Sequence, residues 1–130
     1  METLKLEIIT PNGLIFDGNA ISVTLPGKEG EFGVLANHSS LTTLLNAGVV
    51  DVVKEDKSIE SILIDWGLVE VDEAKVVALV EGAVAIRGES EGEISKSLQE
   101  AKELLESIKD SSLMIATVTS KLESAAKHLL

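Results

Sequence analysis

The segment 27–33 combines three evenly spaced glycines with two carboxylates and one aromatic ring, in the order Gly27-Lys28-Glu29-Gly30-Glu31-Phe32-Gly33. Glycine tolerates positive φ and a close backbone approach, so this spacing predicts a tightly folded loop. A glycine-rich loop can cradle phosphate when it joins a strand to a helix that begins with a lysine. Here an apolar run follows instead, and two carboxylates would repel an anion. The segment is therefore predicted to be a loop between strands, with outward-facing charges and no phosphate site.

Two histidines, His38 and His128, are the only imidazole bases in the chain. Nucleophilic catalysis would need one of them beside a serine and an acid in triad geometry. Ser39 is adjacent to His38 in sequence, but adjacency gives no triad geometry. His38 is therefore predicted to make a structural hydrogen bond in a loop. A hydrolase would require an activity that His38→Ala abolishes, and we expect none.

The chemistry of metals and paired acids is also poorly supported by the residue pattern. Asp51, Asp56 and Asp65 lack the spacing of an EF-hand loop. No two carboxylates share an apolar segment that would raise a pKa. The absence of cysteine excludes disulfides, thiolate metal sites and a thiol nucleophile. We expect no catalytic residue, no metal and no cofactor, and the chain is not predicted to be an enzyme on its own.

The charge balance limits the classes of partner. Among 130 residues, 22 acidic side chains face 11 basic ones, which gives a formal charge of −11. Without a basic patch the chain is not expected to bind nucleic acid or to adsorb to anionic lipid. No apolar run approaches the roughly 20 residues of a membrane span, and the first residues do not form a signal peptide. A soluble, cytoplasmic protein without direct lipid insertion is expected.

Apolar residues that alternate with polar ones predict a series of short strands over residues 1–86. Asp17–Asn19 is predicted to interrupt the second strand, and Trp66 is predicted to be a core residue beside a bulge at Gly67. Because only 2% of residues are aromatic, the core must consist mainly of Val, Leu and Ile. Seven or more strands without an intervening helix pattern indicate a β-sandwich or flattened barrel. The strands are predicted at 3–9, 14–16, 20–25, 48–53, 58–65, 68–71 and 76–80.

After residue 88 the periodicity becomes helical. Ser90 and Glu93 fit a capping box at the start of a first helix. A break follows, and Asp110 or Ser111 is predicted to cap a second helix. The apolar residues recur with amphipathic spacing. They are Ile94, Leu98, Ala101, Leu104, Leu105 and Ile108 in the first helix, and Leu113, Met114, Val118, Leu122, Ala125 and Leu129 in the second.

The predicted fold is thus a β-sandwich (flattened barrel) at residues 1–87, followed by a two-helix antiparallel hairpin at 88–130. The hairpin has two interpretations. It is either packed permanently on the sandwich for stability, or it is weakly docked and able to open as an arm.

Three segments occur in the order and approximate spacing of a known family: Glu-Gly-Glu-Phe-Gly-Val-Leu-Ala-Asn-His at 29–38, Asn-Ala-Gly-Val at 46–49 and Ala-Ile-Arg at 85–87. The chain resembles, over its whole length, the bacterial type of epsilon subunit of F-type ATP synthases. The resemblance implies a non-catalytic rotor subunit of the central stalk in a proton-driven enzyme. It would link gamma to the c-ring, transmit torque, and lie peripherally on the cytoplasmic face of the inner (plasma) membrane. The implied partners are gamma, the c-ring and the catalytic alpha and beta subunits.

The resemblance also assigns roles to particular residues. It implies that Glu29, Gly30, Glu31, Phe32 and His38 form or support the contact with the c-ring and gamma. From the residues alone, a plain connector with solvated charges is the simpler interpretation. Phe32 favours a contact, because the chain has only two phenylalanines and an aromatic on a rigid loop is a good anchor.

The helical tail resembles the regulatory helices of the family, which obstruct ATP hydrolysis when extended. Some members bind ATP there through an Ile-Asp-x-x-Arg-Ala motif. The matching residues here lack its Asp and Arg, and no arginine follows Arg87, so we expect no ATP site of that kind. Few basic residues stand on the second helix, so strong inhibition is not implied. The regulatory residues are predicted to be Ile94, Leu98, Leu105, Lys121 and Lys127.

One competing class stays open at this level. A stand-alone β-sandwich binding module with a helical oligomerisation tail would have the same pattern of strands and helices. It would be favoured if the purified chain self-associated through residues 89–130.

Overall fold

The computed structural model describes residues 2–108 and 112–129. Within them, nine strands precede two helices. The sequence predicts seven or more strands followed by two helices, and it does not locate the strands at 30–35, 41–45 and 83–85. The strands are β1 Leu4–Thr10, β2 Gly13–Gly27, β3 Gly30–Leu35, β4 Leu41–Leu45, β5 Gly48–Lys54, β6 Ile59–Ile64, β7 Gly67–Val71, β8 Lys75–Val80 and β9 Ala83–Ala85, and the helices are α1 Glu91–Ser107 and α2 Ser112–Leu129.

The strands close on themselves as a flattened barrel. They follow the order β1-β8-β7-β4-β2-β5-β6-β9, with β3 on β2. The ring closes because β1 pairs antiparallel with the first half of β2 and parallel with β8. The second half of β2 pairs with β3 and β5 and reaches β4 at Gly27–Leu45. The long strand β2 therefore belongs to both layers, and the predicted β-sandwich is confirmed.

The predicted interruption of the second strand is wrong. Strand β2 runs continuously from Gly13 to Gly27, and Asp17–Asn19 pair with β1 residue by residue. The antiparallel partner gives these turn-forming residues regular ladder positions, and the ring of Phe16 fills the space beside Gly18. The register of β2 shifts instead on either side of this segment, opposite Ile8 and Ile9 of β1 and between Ala20 and Ser22 opposite β5.

The main core lies between the two layers. Alternate positions of β1 and β8 point inward and are buried, whereas β5 and β6 are buried on both faces. Phe16 is its only buried aromatic residue, which agrees with the composition. The remaining core is aliphatic, and its largest members are Leu4, Leu6, Ile8, Leu25, Ile62 and Ile64.

The two helices form a second cluster, here called the outer core, on the other face of β5, β6 and β9. Val49 of β5, Leu63 of β6 and Ile86, the residue after β9, project into this cluster. The helices run antiparallel, since the short connection at 108–111 joins them and Lys102 lies 3.7 Å from Glu123 across the pair. Their buried members are Ile94, Ala101, Leu105, Val118, Leu122 and Ala126.

The helix ends agree with the sequence in part. Ser90 caps α1, because its Oγ accepts from the Glu93 backbone nitrogen over 3.2 Å. The predicted caps Asp110 and Ser111 lie outside the described residues, as do the side chains of Leu113 and Met114. Leu129 is exposed rather than part of the buried stripe, and Ala126 is the last buried residue of α2. Over the described residues, neither helix has the length and apolar character of a membrane span.

Candidate functional site

The segment 27–33 is a tight β-hairpin rather than a folded loop. Strand β2 continues to Gly27 and β3 begins at Gly30, so only Lys28 and Glu29 form the turn. The predicted loop was too long, because the pairing of Pro26 with Glu31 extends the antiparallel ladder into the glycine-rich segment. Gly30 supplies the positive φ of +128° that the turn requires. We call residues 28–31 the hairpin tip, and its carboxylates face outward as predicted.

Phe32 braces the hairpin tip from inside. Its ring packs against the main core and covers Gly27, where an added Cβ would lie 2.7 Å from Phe32 Cε1. A side chain at position 27 would therefore displace the ring. Phe32 is half-buried, so it supports the tip and does not stand out as an exposed anchor.

The structure does not place His38 with the tip. Strand β3 carries the chain roughly 17 Å from Gly30 to Leu35, and His38 follows three residues beyond that far end. Its Nδ1 donates to the Ser39 backbone oxygen over 2.7 Å, which is the predicted hydrogen bond in a loop. The preceding residue, Asn37, has a φ of +66° and donates its backbone N–H to the Glu73 oxygen. The candidate residues thus divide into a tip group and an isolated histidine.

One predicted tail residue does reach the tip. Lys121 Nζ lies 3.0 Å from Glu31 Oε2, and the side chains are 44% and 51% exposed. Lys127 is exposed in the last turn of α2. Ile94 and Leu105 are buried and Leu98 is partly buried, all in the outer core.

An apolar groove that the sequence did not predict lies on the outer face of β4, β7 and β8. Leu44, Leu68 and Leu79 stand in one row across these three strands, each paired with the next. Trp66 lies beside them and is 57% exposed. We call these four residues the leucine groove; together with neighbouring residues that include residues 9–11 they line an open hollow of about 480 Å³.

The predicted core position of Trp66 is wrong. Asp65 Oδ1 accepts from the backbone nitrogens of Trp66 and Gly82, which turns the chain between β6 and β7 and directs Trp66 outward. Gly67 is not a bulge either, because it continues the ladder opposite Val80. An added Cβ at Gly67 would collide with the backbone oxygen of Leu79, so the strands approach more closely here than any side chain allows. The sequence signal that could have predicted the leucine groove is a leucine on the face of each of β4, β7 and β8 that points away from the core.

The carboxylates with shifted pKa values lie away from these surfaces. Lys75 Nζ is 2.7 Å from Glu7 Oε1, and this contact lowers the pKa of Glu7 and raises that of Lys75. Ser58 donates to Asp56 and lowers the pKa of that carboxyl at the β5–β6 turn. The contact between Glu7 and Lys75 joins β1 to β8, and the contact between Ser58 and Asp56 stabilises the β5–β6 turn. Among the described residues, no three acidic or histidine side chains are arranged to hold a metal ion.

Comparison with known proteins decides the family. The sequence profile of the ATP synthase, Delta/Epsilon chain, beta-sandwich domain matches residues 3–86. An ATP synthase epsilon chain of Sulfurimonas denitrificans is 70% identical over 130 residues, all of both chains. The chain belongs to the ATP synthase delta/epsilon chain family. A second relative from this family, the ATP synthase epsilon chain of Nitratiruptor sp., is 54% identical over 127 residues and 98% of each chain.

Solved structures share the fold of this family member. A chain of the Euglena gracilis mitochondrial ATP synthase, in a structure of OSCP/F1/c-ring, aligns with a TM-score of 0.62 at 22% identity, covering 95% of this chain and 74% of that one. A chain from the Tetrahymena thermophila central stalk/c-ring structure aligns at 0.55 and 9% identity, covering 99% and 98%. The family profile and the curated relatives confirm the resemblance read from residues 29–38, 46–49 and 85–87. The curated relatives are named as a chain of ATP synthase, which agrees with the prediction of a non-catalytic subunit.

Proposed function

We propose that this chain is a non-catalytic rotor subunit in the central stalk of an F-type, proton-driven ATP synthase. It would join the gamma subunit to the c-ring on the cytoplasmic face of the membrane. The observation that carries the proposal is the leucine groove, an exposed apolar surface in a member of the ATP synthase delta/epsilon family. The two structural neighbours come from F1/c-ring and central stalk/c-ring assemblies, which supports the same partners.

The leucine groove is the proposed gamma contact. A row of three leucines beside an exposed tryptophan is a surface that a protein partner would remove from water. Tryptophan is among the residues that contribute most to binding energy when a partner buries them. His38 precedes β4, which carries Leu44, so we assign it to the gamma side of the molecule.

The hairpin tip is the proposed c-ring contact. Glu29 and Glu31 project from a two-residue turn that Gly30 permits and Phe32 braces. A short, braced hairpin presents its side chains with little conformational freedom to lose on binding. The closed ring of strands behind it makes the sandwich stiff enough to carry torque between the two contacts.

The helices are the proposed regulatory part. They cover Val49, Leu63 and Ile86 with the side chains of Ile94, Leu98 and Leu105. Among the described residues, the outer core has fewer buried members than the main core, so opening of the hairpin is expected to need less free energy than unfolding of the sandwich. Extension along gamma towards the alpha and beta subunits would then regulate ATP hydrolysis, with Lys121 and Lys127 on the released helix.

Titration of the purified chain with a gamma-containing alpha–beta subcomplex tests the proposal. Trp66 is the only tryptophan in the chain, so in a subcomplex of gamma, alpha and beta variants that lack tryptophan its emission reports burial of the groove. We expect a saturable blue shift. In calorimetric titrations, Trp66→Ala and Leu79→Ala should weaken binding about ten-fold or more.

Leu35→Ala is the matched control, because Leu35 is 62% exposed but lies on β3, outside the groove. Equal losses for Leu35→Ala and Leu79→Ala would show that the groove is not the contact. Absence of binding together with self-association through residues 89–130 would favour the stand-alone binding module instead.

A further inference from the structure

The ion pair between Lys121 and Glu31 joins two segments that the proposed function treats separately. Lys121 Nζ and Glu31 Oε2 are 3.0 Å apart, although the residues are 90 positions apart in sequence. Both ends are held in position. Leu122, the next residue on α2, is fully buried in the outer core, and Glu31 is paired with Pro26 in the ladder of β2 and β3.

This contact changes what the hairpin tip can offer to a partner. The tip carries two carboxylates, and Lys121 neutralises Glu31 while α2 is docked. Glu29 makes no ion pair within the part of the chain that the structure describes. A cationic side chain that approaches the tip therefore finds one carboxylate available and must replace Lys121 to reach the second. Release of α2 would present both.

We propose that docked helix α2 and a lysine or arginine of the partner at the hairpin tip compete for Glu31. The inference rests on the proposed contact between the tip and the c-ring, and it adds a regulatory link from that contact to the helices. Because coupling between two sites is reciprocal, a partner at the tip loosens α2, and release of α2 strengthens binding at the tip. Both partners of the ion pair are half-exposed, so the expected effect is about two- to five-fold and decreases with salt.

Amide hydrogen exchange of the full-length chain tests the first half of the link. Lys121→Gln should speed exchange over residues 117–129 by about two- to five-fold, because the docked state loses its ion pair. Lys127→Gln is the control, since it removes the same charge from the same helix without touching the tip. The charge-reversed double variant, Glu31→Lys with Lys121→Glu, should restore slow hydrogen exchange. About 0.5 M NaCl should remove the difference in exchange between the wild type and Lys121→Gln.

Binding to a detergent-solubilised complex of gamma and the c-ring tests the second half. Lys121→Gln should bind about two- to five-fold more tightly than the wild type, while Lys127→Gln binds equally well. Glu29→Gln should weaken binding with or without the Lys121 change, since that carboxylate belongs to the tip alone.

The outcomes distinguish the two proposals. Normal binding with no effect of Lys121→Gln, or equal effects of the two lysine variants on exchange, overturns the competition and leaves the proposed function intact. Failure of every variant to bind overturns the proposed function, and the competition fails with it.

Discussion

Arg87 and Glu60 form a two-point ion pair where the strands end and the helices begin. Arg87 is the only arginine in the chain; its Nε donates to Glu60 Oε2 over 2.7 Å, and its Nη2 lies 2.6 Å from the same oxygen. Nη2 also donates to the Ile15 oxygen, and the Arg87 backbone nitrogen donates to Ser97 Oγ over 3.2 Å. The residue before Gly88 thus connects β6, β2 and α1, and fixes the direction in which the chain leaves the sandwich.

Replacement of Arg87 should weaken both the sandwich and the docking of α1. Glu60 is only 11% exposed, so Arg87→Ala leaves it with Lys54 at 3.6 Å as its remaining cation. We expect the free energy of unfolding to fall by about 1–2 kcal/mol. Arg87→Lys should recover part of it, because lysine keeps the charge but not the two-point geometry.

Urea unfolding of the variants measures this effect. Lys54→Gln removes the longer of the two contacts to Glu60 and should cost about 0.5 kcal/mol or less. A loss of stability in Lys54→Gln as large as that in Arg87→Ala would contradict the assigned importance of the two-point contact.

Gly67 should not tolerate even alanine. A Cβ there collides with the Leu79 backbone oxygen and would lie 2.9 Å from Val80 Cα, and neither atom belongs to a flexible side chain. Gly67→Ala should therefore lower the free energy of unfolding by about 3 kcal/mol and disturb the leucine groove. Gly33→Ala is the control, because Gly33 lies in a strand with open space around it and should change stability by about 0.5 kcal/mol or less. Thermal unfolding compares them, and similar melting temperatures would refute the close approach.

The sequence predicts those parts of the fold that local periodicity controls. Alternation located most of the strands, and Ser90 correctly marked the start of α1. Trp66 was misplaced because its outward direction depends on Asp65, which accepts from the Gly82 nitrogen 17 residues away. The unbroken course of β2 through Asp17–Asn19 likewise depends on its pairing with β1.

The candidate surfaces likewise divide into features that the local sequence predicts and features that depend on strand pairing. The outward charges of Glu29 and Glu31 could be predicted from the turn residues around them. The row of Leu44, Leu68 and Leu79 could not, because it exists only once the register of β4, β7 and β8 is set. The ion pair between Glu31 at the hairpin tip and Lys121 on α2 could not be predicted either, because the two residues are 90 positions apart in sequence.

The contact between Glu7 and Lys75 should make stability depend on pH in a defined direction. Glu7 has a pKa below its ordinary value of 4.5, so its contribution is complete above that value and is lost as pH falls through the lowered pKa. Lys75 has a pKa above 10.5, so its contribution is complete below that value and is lost as pH rises through the raised one. Between these limits the pair stabilises the parallel pairing of β1 and β8.

Urea midpoints of wild type and Glu7→Gln across this pH range test the contact. The difference between them should be constant near neutral pH and shrink in acid. In a Lys75→Met background, Glu7→Gln should no longer alter the acid limb of the profile. Persistence of the same acid dependence without Lys75 would show that another group lowers the pKa of Glu7.

Removal of the helices should leave a folded sandwich, which tests the proposed division into a sandwich at 1–87 and a helical hairpin at 88–130. The main core contains strand residues only, whereas the outer core takes Val49, Leu63 and Ile86 from the strands. A fragment of residues 1–88 should therefore unfold cooperatively, with a lower midpoint than the full chain. It should still bind gamma, because the leucine groove lies on β4, β7 and β8, which do not contribute to the outer core.

The newly exposed strip supplies an internal check on the same fragment. Val49 and Leu63 are direct cross-strand neighbours, and truncation uncovers both. The fragment should therefore bind a dye that recognises apolar surface, and replacement of both residues by threonine should reduce that binding while the β-structure is kept. In the full chain the same double change should weaken docking of the helices, which faster amide exchange in α1 and α2 would reveal. Gradual, non-cooperative unfolding of the fragment would mean that the helices belong to a single folding unit with the strands.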